Sequence, residues 1–227
     1  MAEDDELANV GKSARDAEDN SLGRLLTLAD GVFAIAMTLL ALDLRVPELK
    51  GTPSNHDLAR ALANNESSYL TYLLTFYVVG LYWVRHRRLM RSVVVFHDVL
   101  VRDTLALLLV VAAMPFPASL LARYGTTPVG LAVYGAVNAL ATLILLVLSR
   151  DVRRLNLVDP LARPPDPLQR RMSVYTLGVF LLCVPAGFVL GRHGPWALTL
   201  VAIPNLLAGA RKLRRLIGGT RGADHPG

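Results

Sequence analysis

Cysteine is almost missing from this chain: Cys183 stands alone among 227 residues. One thiol allows no intrachain disulfide and no cysteine metal cluster, and within its apolar run Cys183 reads as a small buried hydrophobe. The motifs of soluble catalysis are missing too. There is no glycine-rich phosphate loop, no nucleophile elbow and no H-E-x-x-H pair, which argues against a soluble-type catalytic site. His97-Asp98 is too short a signal for zinc, and no second His, Asp or Glu stands at ligand spacing beside His86. No resident metal and no cofactor are expected. Repeats of solenoid period are absent, and the two halves of the chain do not match each other. A basic start followed by a short apolar run is absent as well, so residues 1–23 do not read as a cleavable signal peptide.

What the chain has in excess is apolar surface. At 53% hydrophobic residues it is too apolar for an ordinary soluble domain and belongs with multi-span membrane proteins. Six candidate spans follow from the apolar runs, at about 24–45, 68–84, 99–122, 128–149, 173–191 and 195–210. Ahead of them lies an acidic, polar tail over 1–23, expected to be disordered and to stay attached. The loop from Glu48 to Ser67 has room for a short helix from Asp57 to Asn64. Met114-Pro-Phe-Pro117 should bend or stop the third span, because each proline removes a backbone donor. A linker from Leu155 to Arg171, carrying Pro160, Pro164, Pro165 and Pro167, separates the fourth span from the fifth. Residues 24–212 then form one six-span domain, followed by a basic, flexible tail over 213–227.

Basic residues set the orientation. With both termini cytoplasmic, 19 of the 24 Lys and Arg fall on inner segments and 5 on outer ones, the asymmetry that short cytoplasmic loops display. The net charge of +6 is therefore topogenic, and no nucleic-acid partner is expected. The fold class read from the sequence is an all-α membrane protein of six transmembrane helices with amino and carboxyl termini cytoplasmic.

The first span is unusual because it carries a carboxylate, Asp30, inside an apolar run. A charge within a membrane segment must be paired, hydrogen-bonded or protonated and is a functional hypothesis by default. Two uses stay open: a polar latch between helices, or an ion or proton site. Arg24, Arg85 and His86 are the partners within reach of that end. Further along, Ile35, Leu39 and Leu42 lie at i, i+4 and i+7 on one face, with Thr38 beside them, while Gly31, Ala34, Ala36 and Ala41 allow close helix contact. Such spacing is common to membrane helices and does not by itself assign a role.

Three stretches together resemble the transmembrane protein 175 channels, the potassium channels of lysosomes and their single-repeat prokaryotic relatives. They are Arg24-Leu-Leu-Thr-Leu-Ala-Asp-Gly-Val-Phe-Ala-Ile-Ala-Met-Thr-Leu-Leu40, then Tyr82-Trp-Val-Arg-His86, then Pro115-Phe-Pro117. They fall in three of the six spans, in the family's order. Leu28-Ala29 stands where the family usually has Phe-Ser. The resemblance implies a homotetramer in the prokaryotic plasma membrane that conducts potassium passively through a central pore lined by the first helix of each subunit. It implies constriction rings at Ile35, Leu39 and Leu42, a pore hydroxyl at Thr38, and a supporting network of Arg24, Asp30, Trp83 and His86. No Thr-Val-Gly-Tyr-Gly filter is present, so selectivity would rest on the width and wetting of apolar rings. The expected partners are potassium ions in transit and the lipid bilayer. Two other functions compete. A proton-coupled transporter would use Asp30, and a membrane enzyme would need the cluster His97, Asp98, Arg102 and Asp103.

Overall fold

The computed structural model describes residues 2–42, 44, 49, 51, 54–158 and 167–190. Among these the chain is helical, without a strand, and runs α1 (Ala2–Ala41), α2 (Asn55–Ala63), α3 (Glu66–Met90), α4 (Asp98–Ala112), α5 (Pro115–Tyr124), α6 (Pro128–Arg154) and α7 (Pro167–Leu190). The sixth expected span, the tail over 213–227, residues 159–166 of the linker and the side chain of Cys183 lie outside the described residues.

Among the described residues, three helical stretches are long and apolar enough to cross a membrane by length and composition: Asn20–Ala41, Asp98–Tyr124 and Pro128–Arg154. The expected second span lies within α3, whose 25 residues reach about 37 Å. Its hydropathy is diluted by Glu66, Arg85, His86, Arg87, Arg88 and a series of tyrosines. The fifth expected span falls in α7, where Ser173–Leu182 is a shorter apolar helix.

The prolines act as the sequence suggests. Pro115 and Pro117 cannot donate to the carbonyls four residues back, and the third span breaks at Ala113-Met114, where α4 gives way to α5. Pro128 opens α6 behind Thr127, whose hydroxyl accepts from the Gly130 amide at 3.2 Å. Asn156, at φ 52°, closes the same helix. The Leu157 amide reaches the Val152 carbonyl at 3.1 Å and the Asn156 amide reaches that of Arg153 at 3.3 Å, which is a Schellman motif with its apolar contact between Leu157 and Val152.

Two elements differ from expectation at the amino-terminal side. Where a disordered tail is expected over 1–23, the structure has the opening turns of α1. High net charge suggests disorder, but Ala, Glu, Leu and Arg are strong helix formers and no proline precedes Pro47. Extending an existing helix also avoids the cost of a new nucleus. The short loop helix is present as α2, two residues earlier at its start and one at its end than read from sequence. Ser54 caps it: the Asp57 amide donates to Ser54 Oγ at 3.3 Å, and the Ser54 amide and hydroxyl donate to Asp57 Oδ2 at 3.1 and 2.7 Å.

Those bonds hold the Asp57 carboxyl below its ordinary value of 3.8. A carboxyl lowered in the folded state contributes stability above its unfolded pKa, and loses it as pH falls through the folded one. Amide protection across Leu58–Leu62 should therefore weaken as pH drops below 3.8. Ser54→Ala should weaken it already at neutral pH, and hydrogen exchange reads both.

The core joins α1, α3, α4, α5, α6 and α7 around Phe33, Tyr82, Leu107, Met114, Tyr134 and Phe180, all buried. α6 packs on α4, α5 and α7, and α1 on α3 and α4. A seam of buried polar groups runs through it. Tyr82 Oη lies 3.0 Å from the Asn138 carbonyl oxygen, 3.1 Å from Asn138 Oδ1 and 3.2 Å from Thr142 Oγ1. Asn138 Nδ2 donates to the Tyr134 carbonyl at 2.9 Å, and Tyr134 and Thr75 share a hydroxyl pair at 3.1 Å. Asn138 is thus part of the polar join between α3 and α6.

Candidate functional site

The first span presents two apolar faces with opposite fates. Leu25, Ala29, Phe33, Ala36 and Leu40 follow one another at three- or four-residue steps and are buried. They form the face that meets α3 and α4. On the other side Leu28, Ile35, Leu39 and Leu42 are exposed, Ile35 at 61% and Leu42 at 74%. A single chain thus leaves an apolar stripe uncovered along α1. Gly31, Ala34 and Ala41 also lie exposed, and nothing stands within 4 Å of where a Gly31 side chain would begin. Thr38 is exposed too, and its hydroxyl donates to the Ile35 carbonyl at 2.8 Å. The proton is used on the backbone, so only oxygen lone pairs remain for anything that approaches.

Asp30 sits between the two faces, half-buried, and its Oδ1 accepts from Trp83 Nε1 at 2.6 Å. This joins α1 to α3 over 53 residues of sequence. The indole is held in turn by Arg87, whose guanidinium carbon lies 5.1 Å from the ring centroid. Arg87 is one helical turn beyond Trp83, so stacking follows from i, i+4 spacing. The unit is Asp30, Trp83 and Arg87.

The other residues expected in this network lie elsewhere. His86 is buried, but its Nε2 pairs with Thr104 Oγ1 at 3.2 Å and its ring stands 6.2 Å from that of Phe33. It therefore ties α3 to α4 and to the buried face of α1, without a hydrogen bond to Asp30. Arg24 is exposed and has no hydrogen bond or ion pair with another described residue. Arg85, weighed as a partner for Asp30, is buried and donates through Nη2 to Thr176 on α7 at 3.3 Å. Sequence reasoning missed Arg87 because it lay in a basic run that marks a membrane boundary. Its distance from Trp83 was the available signal.

The cluster considered for an enzyme has structural duties. His97 Nδ1 accepts from the Val99 amide at 3.2 Å as the cap of α4. Arg102 bridges Asp103 at 2.8 Å and Asp151 on α6 at 3.3 Å. Among the described residues no group of three or more His, Cys, Asp or Glu could hold a metal ion.

Comparison with known proteins gives a consistent set of matches. The family profile described as endosomal/lysosomal potassium channel TMEM175 matches residues 24–115. A potassium channel of Streptomyces collinus is 35% identical over 190 residues, spanning 79% of this chain and 91% of that protein. A potassium channel of Chamaesiphon minutus is 36% identical over 107 residues, 47% of this chain and 52% of that one. Among solved structures, the crystal structure of a lysosomal potassium-selective channel TMEM175 homolog from Chamaesiphon minutus superposes with a TM-score of 0.70 at 26% identity, covering 83% of this chain and 98% of that chain.

Proposed function

Since this chain belongs to the TMEM175 family of potassium channels, whose members are not enzymes, we propose that it is a potassium-permeable channel in the cell membrane. Six spans with both termini cytoplasmic and four copies around a central axis make up the assembly. The first helix of each copy lines the pore. Ile35, Leu39 and Leu42 form its apolar constrictions, Thr38 turns its lone pairs to a passing ion, and Asp30 anchors the helix through Trp83.

The observation that carries this reading is the uncovered stripe of Ile35, Leu39 and Leu42 on a helix whose opposite face is fully packed. One copy cannot enclose a pore with a single helix face, whereas four copies turned inward would cover the stripe and surround an axis. Selectivity then arises from how readily the apolar rings wet and how much of an ion's water they admit. The anchoring role of Asp30 is supported by its bond to the indole, which gives the carboxylate a partner inside the protein. A proton carrier needs that carboxylate free to alternate, so the transporter reading is the weaker one.

Purified protein in liposomes should pass potassium well above empty vesicles, with flux in the order potassium over sodium, and should cross-link to the mass of four chains. Flux no greater than that of empty vesicles would remove the channel reading. Substrate accumulation that collapses with the proton gradient would put the transporter in its place.

A further inference from the structure

A second apolar cluster closes the bundle at the end where α3 and α6 finish and α4 begins. It joins Leu25 of α1, Met90 and Val93, Leu100 of α4, and Leu148, Val152 and Leu157. The loops leaving α3 and α6 are tied side by side, since the Val94 amide donates to the Leu157 carbonyl at 2.9 Å and Val93 bridges Val158. Around this small core stand five exposed arginines: Arg88 and Arg91 at the end of α3, and Arg150, Arg153 and Arg154 at the end of α6. The last three share one helical face by their i, i+3 and i+4 spacing.

None of the five has an ion pair among the described residues. Two of the carboxylates at this end, Asp103 and Asp151, are taken by Arg102. Another described carboxylate here, Asp98, stands in the first turn of α4, where the helix dipole favours it. The rim also alternates charge with exposed apolar side chains: Val94 and Val95 follow Arg91, and Leu155 follows Arg154. A soluble anion has no use for those apolar groups, but a bilayer surface takes both kinds at once, phosphates at the guanidinium level and acyl chains below. The cation used is also the one suited to phosphate. Of 24 basic residues only Lys12, Lys50 and Lys212 are lysines, and guanidinium binds phosphate oxygens in a bidentate fork.

We propose that this rim is a binding surface for the phosphate headgroups of anionic phospholipids in the leaflet it faces. The lipid would bridge the ends of α3 and α6 and bring charge to guanidinium groups that no described residue pairs. The site requires a membrane but does not depend on where ions pass.

The test is thermal unfolding of the full-length protein in detergent with added phosphatidylglycerol, phosphatidylcholine or inorganic phosphate at matched ionic strength. Phosphatidylglycerol alone should raise the midpoint. Each arginine near an anionic surface contributes roughly fivefold in affinity. The variant R88Q/R91Q/R153Q/R154Q should therefore need about a hundredfold or more phosphatidylglycerol for the same shift, whereas the four-lysine variant, which keeps the charge without the bidentate fork, should lose distinctly less. Equal shifts with phosphatidylglycerol and phosphatidylcholine would overturn the proposal, as would inorganic phosphate reproducing the effect. If the glutamine variant fails to fold, the wild-type comparison of the three additives decides the matter alone.

Discussion

Replacing Ile35 by asparagine is expected to raise potassium flux through the reconstituted protein about tenfold and to pull the potassium-to-sodium ratio toward one. Tenfold in rate is about 1.4 kcal/mol of barrier, a modest demand on the ring of side chains proposed above. An apolar constriction resists ions by staying dry, and an amide in each copy of the proposed ring supplies donors and acceptors that keep water in place. Leu39→Ala should move flux in the same direction by widening the next ring. The two faces of α1 supply the control. Leu40 is 1% exposed, against 40% for its neighbour Leu39. Leu40→Ala should therefore destabilise the fold by about 2–5 kcal/mol through a core cavity, with the ion preference of surviving protein unchanged. Liposome flux with potassium and sodium in parallel reads the ion path in all three, and thermal unfolding reads the stability lost in Leu40→Ala. Unchanged flux and ratio in both Ile35→Asn and Leu39→Ala would remove these residues from the ion path.

The spacing of Ile35, Leu39 and Leu42 was legible from the sequence, because helical geometry alone puts them on one face. Which face turned inward was not. Leu25, Ala29, Phe33, Ala36 and Leu40 make an equally apolar stripe, and a membrane helix apolar on all sides has no moment to separate them. Only packing against α3 and α4 decides it. The Pro115-Phe-Pro117 break and the capped helix of the first loop were readable because their causes are local: a missing donor and a reciprocal cap.

Long-range polar partners were the least legible. Asp30 and Trp83 are 53 residues apart, and their joint mention rested on motif resemblance. His86 was drawn to Asp30 both by its place at that end of the second span and by the resemblance, although in space its ring nitrogen meets Thr104 on α4. A threonine inside an apolar run gives no sequence signal that it is a partner. The seam of Tyr82, Asn138 and Thr142 was hidden for the same reason: each residue alone is an ordinary interruption of a span. The helical start of α1 was misread because composition weighs net charge, while helix propensity and continuity with a long apolar helix carry more weight locally.

Removing the indole donor should have the largest effect on stability among conservative changes at the anchor. Hydrogen bonds between neutral groups in membrane proteins average only about 0.6 kcal/mol, so a simple lost contact would hardly register. Trp83→Phe does more than that. It leaves the half-buried Asp30 carboxyl without the one donor it has among the described residues, and stranding a charged acceptor costs about 3 kcal/mol or more. Asp30→Asn keeps an acceptor oxygen for the indole and should cost less than about 1 kcal/mol. The two changes should therefore couple with a definite sign. In wild-type protein Asp30→Asn is mildly destabilising, whereas in the Trp83→Phe background it should raise the melting midpoint, because a neutral amide is cheaper to leave unpaired than a carboxylate. Arg87→Gln should cost about as much as Asp30→Asn, since it removes a cation–π contact worth about 0.5–1 kcal/mol and leaves the bond itself in place. A double-mutant cycle on the melting midpoints measures the coupling. Additive effects of Trp83→Phe and Asp30→Asn would mean that the 2.6 Å bond does not hold α1 to α3, and the proposed anchor of the pore helix would have to be sought in the packing of Phe33 instead.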